Sequence, residues 1–387
     1  MRTPFLFFTF FFTAIATFSH FQAAAQVVDN SSLDNHVICG YQGWFAYPGD
    51  GAAINRWRHW FSSIDTPTVP NLTVDMYPLV DEYDPADLAD SEIPMNGGFA
   101  KFYSTTRPNV VDKHFEWMKI YGISGVFHMR FMKDIQNPNN FSWKTGVLRN
   151  VRAAAENHGR VFATSYNMAG TGNEVIEQIR EDWMYLVDNE GITSSNRYLH
   201  HHGRPVLRIY GIGFDSVNVT DTVALAELID WFQNSAEERY RVFLIGGLPS
   251  QWRTLTGDSR PEPEWLDIYG SLDGIHPWHV GRWASTNGFD SFYANRITQD
   301  SFYCASRGIH YMPTMWPGFS WHNLQGDGHD INAIPRDGGN FMWAQAYRFA
   351  ENENIKTVWM AQFDEVDEGT AIYKVAKNDS ELPDEGA

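Results

Sequence analysis

The sequence predicts an α/β fold, a single (β/α)8 TIM barrel with a long loop insertion after strand 1, and three observations carry that prediction. Strand-like apolar runs alternate with helical patterns, the strand-like runs number eight, and no Gly-rich phosphate loop follows the first run to favour an open doubly wound sheet. A chain of 387 residues is long enough for one large barrel or two average domains.

Residues 1–25 combine a basic Arg2, a Phe-rich apolar centre from Phe5 to Phe18 and an Ala-Ala-Ala ending. They read as a secretory signal cleaved before Gln26 and not as a membrane anchor, because the apolar core is short. A secreted or periplasmic location with no membrane span is expected. The barrel is expected over 26–374. Its first strand lies at 37–45, followed by a long irregular stretch, 46–109, rich in Pro, Gly and Asp and of a length usually tied to function. Helical periodicity runs over 110–121 and ends at Gly122. The remaining strands are expected at 125–131, 161–168, 205–212, 242–248, 274–280, 309–316 and 357–363, with helical patterns such as 145–157, 175–188, 223–234 and 341–352 between them. Residues 375–387 are polar and acidic without periodicity, and a disordered tail is expected there.

Lys and Arg total 29 against 47 Asp and Glu, giving a net charge of −18 that repels nucleic acid and anionic membranes. Aromatic residues make up 15% of the chain, and their faces stack on the C–H faces of sugars, so a polysaccharide or oligosaccharide partner is favoured over a merely aromatic-rich core. Cys39 and Cys304 both lie in apolar stretches and read more as buried thiols than as a disulfide. No zinc spacing exists, and the sequence calls for no cofactor. His200-His201-His202 leads into Pro205 without an acidic neighbour in sequence, which makes a metal site there a minor reading. Five Asn-x-Ser/Thr acceptor patterns matter only in a eukaryotic host.

Barrels of this kind build their sites at the C-terminal ends of the strands. Those ends carry Tyr41, Gln42 and Trp44; His128 and Arg130; Tyr166 and Asn167; Arg208 and Tyr210; Trp278 and His279; and Trp316. A ring of this composition suits a sugar cleft. The densest chemistry lies at 356–373. An uncharged run, 358–362, too short for a buried helix, leads into Asp364-Glu365-Val366-Asp367-Glu368-Gly369-Thr370. Four carboxylates crowded at a strand end cannot all ionise cheaply, so at least one should keep its proton at neutral pH, as an acid and base pair requires. Glu365 and Glu368, three apart with Gly369 allowing a sharp turn, are the catalytic candidates, and Asp364 and Asp367 could tune them. A solvated acidic turn is the alternative.

These residues resemble the endo-α-mannosidase family, glycoside hydrolase family ninety-nine. Its last strand runs into Asn-Glu-Trp-x-Glu-Gly-Thr, matched here by 364–370. Pro317-Gly318-Phe319 and Arg336-Asp337-Gly338-Gly339 match its Pro-Gly-aromatic loop and Arg-x-Gly, and Arg58-His59-Trp60 resembles its His-Trp after the first strand. The resemblance implies a retaining glycosidase in which Glu365 is the general base, acting on the sugar's own 2-hydroxyl, and Glu368 the general acid. Val366 and Asp364 depart from the pattern and are expected to alter the subsite wall. The substrate-binding candidates are Tyr41, Trp44, His59, His128, Arg130, Tyr166, Asn167, Tyr210, Trp278, His279, Trp316, Arg336 and Asp364. A non-catalytic carbohydrate-binding barrel and a metal-assisted lyase or esterase are the competing readings.

Overall fold

The computed structural model describes residues 27–326 and 328–386, so the signal-like segment lies outside the described residues. The strands, in chain order, are β1 (His36–Tyr41), β2 (Leu88–Met95), β3 (Gly98–Tyr103), β4 (Gly125–Phe131), β5 (Val161–Asn167), β6 (His200–His201), β7 (Arg204–Tyr210), β8 (Phe243–Leu248), β9 (Gly274–Pro277), β10 (His310–Tyr311), β11 (Thr314–Met315) and β12 (Thr357–Met360). β1, β4, β5, β7, β8 and β9 follow one another as parallel neighbours. β10 continues the ladder from β9, while β11 pairs with β12, which returns to β1.

β10 and β11 are two halves of one barrel strand. Pro313 between them has no amide proton to give, so the regular ladder breaks there. The Met312 amide nevertheless donates to Ile275 O at 2.9 Å, and Pro313 O accepts from the Trp359 amide at 3.0 Å. The sheet therefore closes as eight parallel barrel strands, one for each predicted run.

Helices Pro108–Ile120, Pro138–His158, Val175–Asp188, Thr222–Asp230 and Asn340–Ala350 lie on the predicted helical patterns. Their ends follow from local chemistry. Pro138 fills the first turn, the Asn137 side chain accepts the Asn139 and Asn140 amides, and Gly159 closes that helix at φ +62°.

Two expectations need correction. The stretch 46–109 is not irregular throughout, since β2 and β3 form an antiparallel hairpin across Asn96-Gly97, whose φ angles of +51° and +77° suit a tight primed turn. An aromatic cluster ties this insertion to the barrel; the Trp60 ring lies 4.0 Å from Phe45 and its indole N–H donates to Tyr103 O at 2.8 Å, while the Tyr103 ring meets His114 at 5.2 Å and Tyr373 at 6.0 Å. The tail is also not disordered as far as residue 386. The Ala376 amide donates to Tyr77 O at 2.9 Å, Asp384 N–H to Pro94 O at 2.8 Å, and Asn323 Nδ2 to Gly386 O at 3.0 Å. Its backbone is satisfied by the insertion and, at Gly386, by Asn323, partners remote in sequence. Among the described residues no helix is long and apolar enough to cross a membrane.

Candidate active site

The chain leaves β12 and turns sharply over 361–371 at the C-terminal mouth of the barrel. Two glycines make the turn possible. A Cβ on Gly40 would fall 1.7 Å from Gln362 Oε1, so only glycine lets Gln362 lie across β1. Gly369 has φ +63°, and a Cβ there would come within 2.7 Å of the Ser320 amide. Arg336 Nη2 donates to Gly369 O at 2.9 Å and to Ala371 O at 2.5 Å, with burial pulling its pKa down to about 10. Arg336, expected on substrate, is a clasp on the turn.

Asp364 is fully buried, and its two carboxylate oxygens accept the Gln42 and Gly43 amides at 2.8 and 2.9 Å. From the opposite side, Lys144 Nζ on helix Pro138–His158 donates to the carbonyls of the same two residues, both at 3.3 Å. Burial lowers the Lys144 pKa to about 7 and raises that of Asp364 to about 7. The 42–43 peptide is thus gripped on both faces. Its purpose is visible one bond further on, where Gln42 Nε2 donates to Glu365 Oε2 at 2.8 Å. Asp364 is scaffold for the site and not a wall of it.

A cavity of about 250 Å³ opens here, lined by Gln42, Trp44, Met129, Phe131, Asn167, Ala169, Arg208, Tyr210, Trp278, Gln362, Glu365 and Glu368. Both candidate glutamates therefore face one hollow. Trp44 forms a wall with Phe131, ring centroids 5.3 Å apart, and His59 stacks behind it at 3.8 Å and 5°. His59 Nδ1 lies 3.2 Å from Asp367 Oδ2, so it braces the acidic turn from outside the cavity lining. Trp278 meets Tyr210 edge-on at 5.7 Å on the opposite side.

Side-chain alternation decides which predicted rim residues reach this space. On β4, Met129 and Phe131 line the cavity, so His128 and Arg130 point to the helix layer. There Arg130 forms a bidentate pair with Asp182, both contacts at 2.6 Å, and Tyr166 donates to the same carboxylate at 2.7 Å. His128 is buried with neither ring nitrogen hydrogen-bonded. Tyr41 also faces outward and meets His114 Nδ1 at 2.8 Å. His279 packs against Phe292 and Trp283, and Trp316 against Phe341 and Trp283 while Gln345 clasps its backbone. These six, Tyr41, His128, Arg130, Tyr166, His279 and Trp316, lie off the cavity lining, contrary to their expected placement; Trp44, Asn167, Tyr210 and Trp278 lie on it. Gln42 and Arg208, noted at strand ends but not carried into the binding set, do line it. Gln362, in the turn itself, carried no signal in the sequence.

Burial, with Glu368 and Asp367 beside it, pushes the Glu365 carboxyl well above its ordinary range. Burial followed by Asp367 raises Glu368 to about 7, and burial raises Asp367 to about 7. His59 is held well below its ordinary value by burial and by Arg58 and Lys144, so it stays neutral. The acidic turn thus retains protons near neutral pH. A carboxyl whose folded pKa exceeds its unfolded one stabilises the fold below the unfolded pKa, and loses that contribution as pH rises through the folded value. Buried histidines such as His114 and His279, both lowered to about 3, act in the opposite sense. The acids are therefore read by difference. The Tm of Glu368→Gln relative to wild type should rise between pH 5 and pH 8; a flat or falling difference would show that Glu368 ionises freely.

Cys39 and Cys304 are both buried and free, consistent with thiols packed as apolar groups. At the far, N-terminal end of the barrel, Asp34, His201 and His310 bring ligand-type atoms within 4.8 Å of one another. His201 Nδ1 accepts the Leu33 amide at 3.1 Å, which leaves its Nε2 carrying the proton as a donor, a tautomer unsuited to hold a cation through that atom.

Comparison with solved structures bears on the fold. A GH99 endo-alpha-mannosidase from Bacteroides thetaiotaomicron matches with TM-score 0.61 at 16% identity, covering 90% of this chain and 89% of that one. A second structure of the same enzyme gives 0.58, and a glycoside hydrolase-like protein gives 0.56 at 14% identity over 90% of this chain. The chain has the GH99 barrel fold. No protein-family model and no curated protein matches it in sequence. Within this GH99-like barrel the two departures from the family pattern acquire a physical account. Asp364 can accept both amides of the 42–43 turn, whereas an asparagine has one acceptor oxygen for the pair. Val366 is fully buried and absent from the cavity wall, so neither departure alters the lining as the sequence suggested.

Proposed function

We propose that the protein is an exported glycoside hydrolase that cleaves α-glycosidic bonds with net retention, with Glu368 as general acid and Glu365 as general base. The observation that carries this reading is that both glutamates line one aromatic-walled cavity at the C-terminal mouth of a barrel of the GH99 type. The half-buried Glu368, near pKa 7, is suited to hand a proton to a departing sugar oxygen. Burial, Glu368 and Asp367 together raise the Glu365 pKa, the bond from Gln42 Nε2 offsets part of that rise, and Glu365 acts as base in its ionised form. As base it would draw the proton from the 2-hydroxyl of the bound sugar, whose oxygen then closes on the anomeric carbon as the leaving group departs. Water opens the anhydro ring in the second step and restores the original anomeric configuration.

An α-mannan-like glycan is the substrate class this reading favours. Purified mature protein should release reducing sugar from at least one member of a panel of α-mannans, α-glucans and algal or plant polysaccharides, with the first-formed product seen by NMR to keep the anomeric configuration of the substrate. Saturable glycan binding without release from any of them would make the chain a carbohydrate-binding barrel instead.

A further inference from the structure

Among the described residues two arginines, Arg130 and Arg208, are completely buried, and the barrel treats them differently. Arg130 has its counter-charge in Asp182, held in a bidentate pair. Arg208, on β7, has none: among the described residues no carboxylate comes within salt-bridge distance of it, although it is also 0% exposed. Its partners are neutral. Nε donates to His276 Nδ1 at 2.9 Å and Nη1 to Ser165 Oγ at 2.8 Å. His276 cannot supply charge. Thr314 Oγ1 gives its proton to Pro277 O at 2.6 Å and so accepts from His276 Nε2 at 2.9 Å, which fixes the neutral tautomer with Nδ1 facing the guanidinium.

The guanidinium lies 4.4 Å from the Trp359 ring centroid and 5.1 Å from that of Tyr210, so aromatic faces give it partial compensation. Nη2 has no hydrogen-bond partner at all. Gly247 packs against this nitrogen so closely that a Cβ there would stand 2.8 Å from it, so only glycine leaves the guanidinium its place on the wall. Arg208 belongs to the wall of the same cavity as Glu365 and Glu368. A buried cation with an unused donor is costly unless something supplies the missing anion, and burial lowers its pKa to about 9 accordingly.

We infer that Arg208 is the receptor for an acidic substituent, a carboxylate or a sulfate ester, on the sugar residue that occupies the cavity, so that the substrate is an acidic glycan. This inference rests on the glycosidase reading of the site. A guanidinium prefers planar or tetrahedral oxyanions to single hydroxyls, because its parallel N–H groups match their oxygens. The net charge of −18 disfavours a densely charged polyanion. The acidic group therefore belongs on the one residue inside the cavity, in a chain otherwise neutral or sparsely charged.

The test pairs binding with turnover. Wild type, Arg208→Gln and the charge-keeping Arg208→Lys are titrated calorimetrically with a neutral monosaccharide, its uronate and its sulfate ester, and assayed on matched neutral, uronate-bearing and sulfated oligosaccharides. Wild type should prefer an acidic form by at least about tenfold, the scale of one charged hydrogen bond. The acidic-to-neutral ratio should fall by a similar factor in Arg208→Gln and be partly kept in Arg208→Lys, and the uronate and sulfate arms identify the group. Equal or better handling of the neutral form by wild type overturns the inference without touching glycosidase function, and needs no variant to fold. Acidic binding without cleavage of any glycan upholds the Arg208 role and removes the enzyme instead. An unchanged ratio in a folded Arg208→Gln assigns the preference elsewhere and overturns it.

Discussion

Glu368→Gln is expected to lower kcat on a natural glycan by about 10²–10⁴-fold, the usual contribution of a positioned general acid, while the protein stays folded. The loss would follow from removing the proton that, on the proposed reading, Glu368 gives to the leaving oxygen. Glu368 is half-buried, and its main chain is tied by the Ser320 amide donating to its carbonyl at 2.9 Å. An isosteric amide leaves that tie intact. Circular dichroism and the thermal midpoint should therefore match wild type at pH 5, and steady-state release of reducing sugar reports the defect. Wild-type turnover by a folded Glu368→Gln would remove it from the reaction.

Glu365→Gln should be at least as damaging, by about 10²–10⁴-fold in kcat, for a different reason. A base acting on the sugar hydroxyl has no substitute, because the nearest other acids are committed: Asp364 to the 42–43 amides and Asp367 to His59. The substitution also rearranges hydrogen bonds, since an amide at 365 can still accept from Gln42 Nε2. Stability should change little or rise at pH 8, where a buried ionised carboxyl beside Glu368 and Asp367 is unfavourable. Loss of activity with a normal urea midpoint checks this; loss of both together would mean that Glu365 mainly supports the turn.

The eight barrel strands were legible because each is a short apolar run bounded by turn residues, and a strand buried on both faces has that signature. The acid pair was legible for the same reason, as charges stacked at the end of the last run. Position at a strand end selects more residues than reach the cavity. Alternation alone discards Tyr41, His128, Arg130 and Tyr166 and promotes Gln42 and Arg208, because each strand shows one parity to the barrel interior. The Asn96-Gly97 signature of a hairpin was also present in the sequence, hidden inside a stretch read by composition. Other features lie beyond sequence reasoning. Lys144, on a helix, reads as a solvated residue until the fold brings its Nζ to the 42–43 carbonyls. The tail docks through main-chain groups at 77 and 94, and backbone pairing leaves no side-chain pattern to read.

Leaving-group dependence tests the division of labour in the cavity most directly. Wild type, Glu365→Gln and Glu368→Gln would be compared on an aryl glycoside with an acidic phenol leaving group and on the natural oligosaccharide of the same sugar. A phenolate departs without protonation, so Glu368→Gln should recover most of its lost rate on the aryl substrate while Glu365→Gln stays impaired on both. Recovery by Glu365→Gln alone would reverse the roles, and equal rates for both variants and wild type on both substrates would contradict the account.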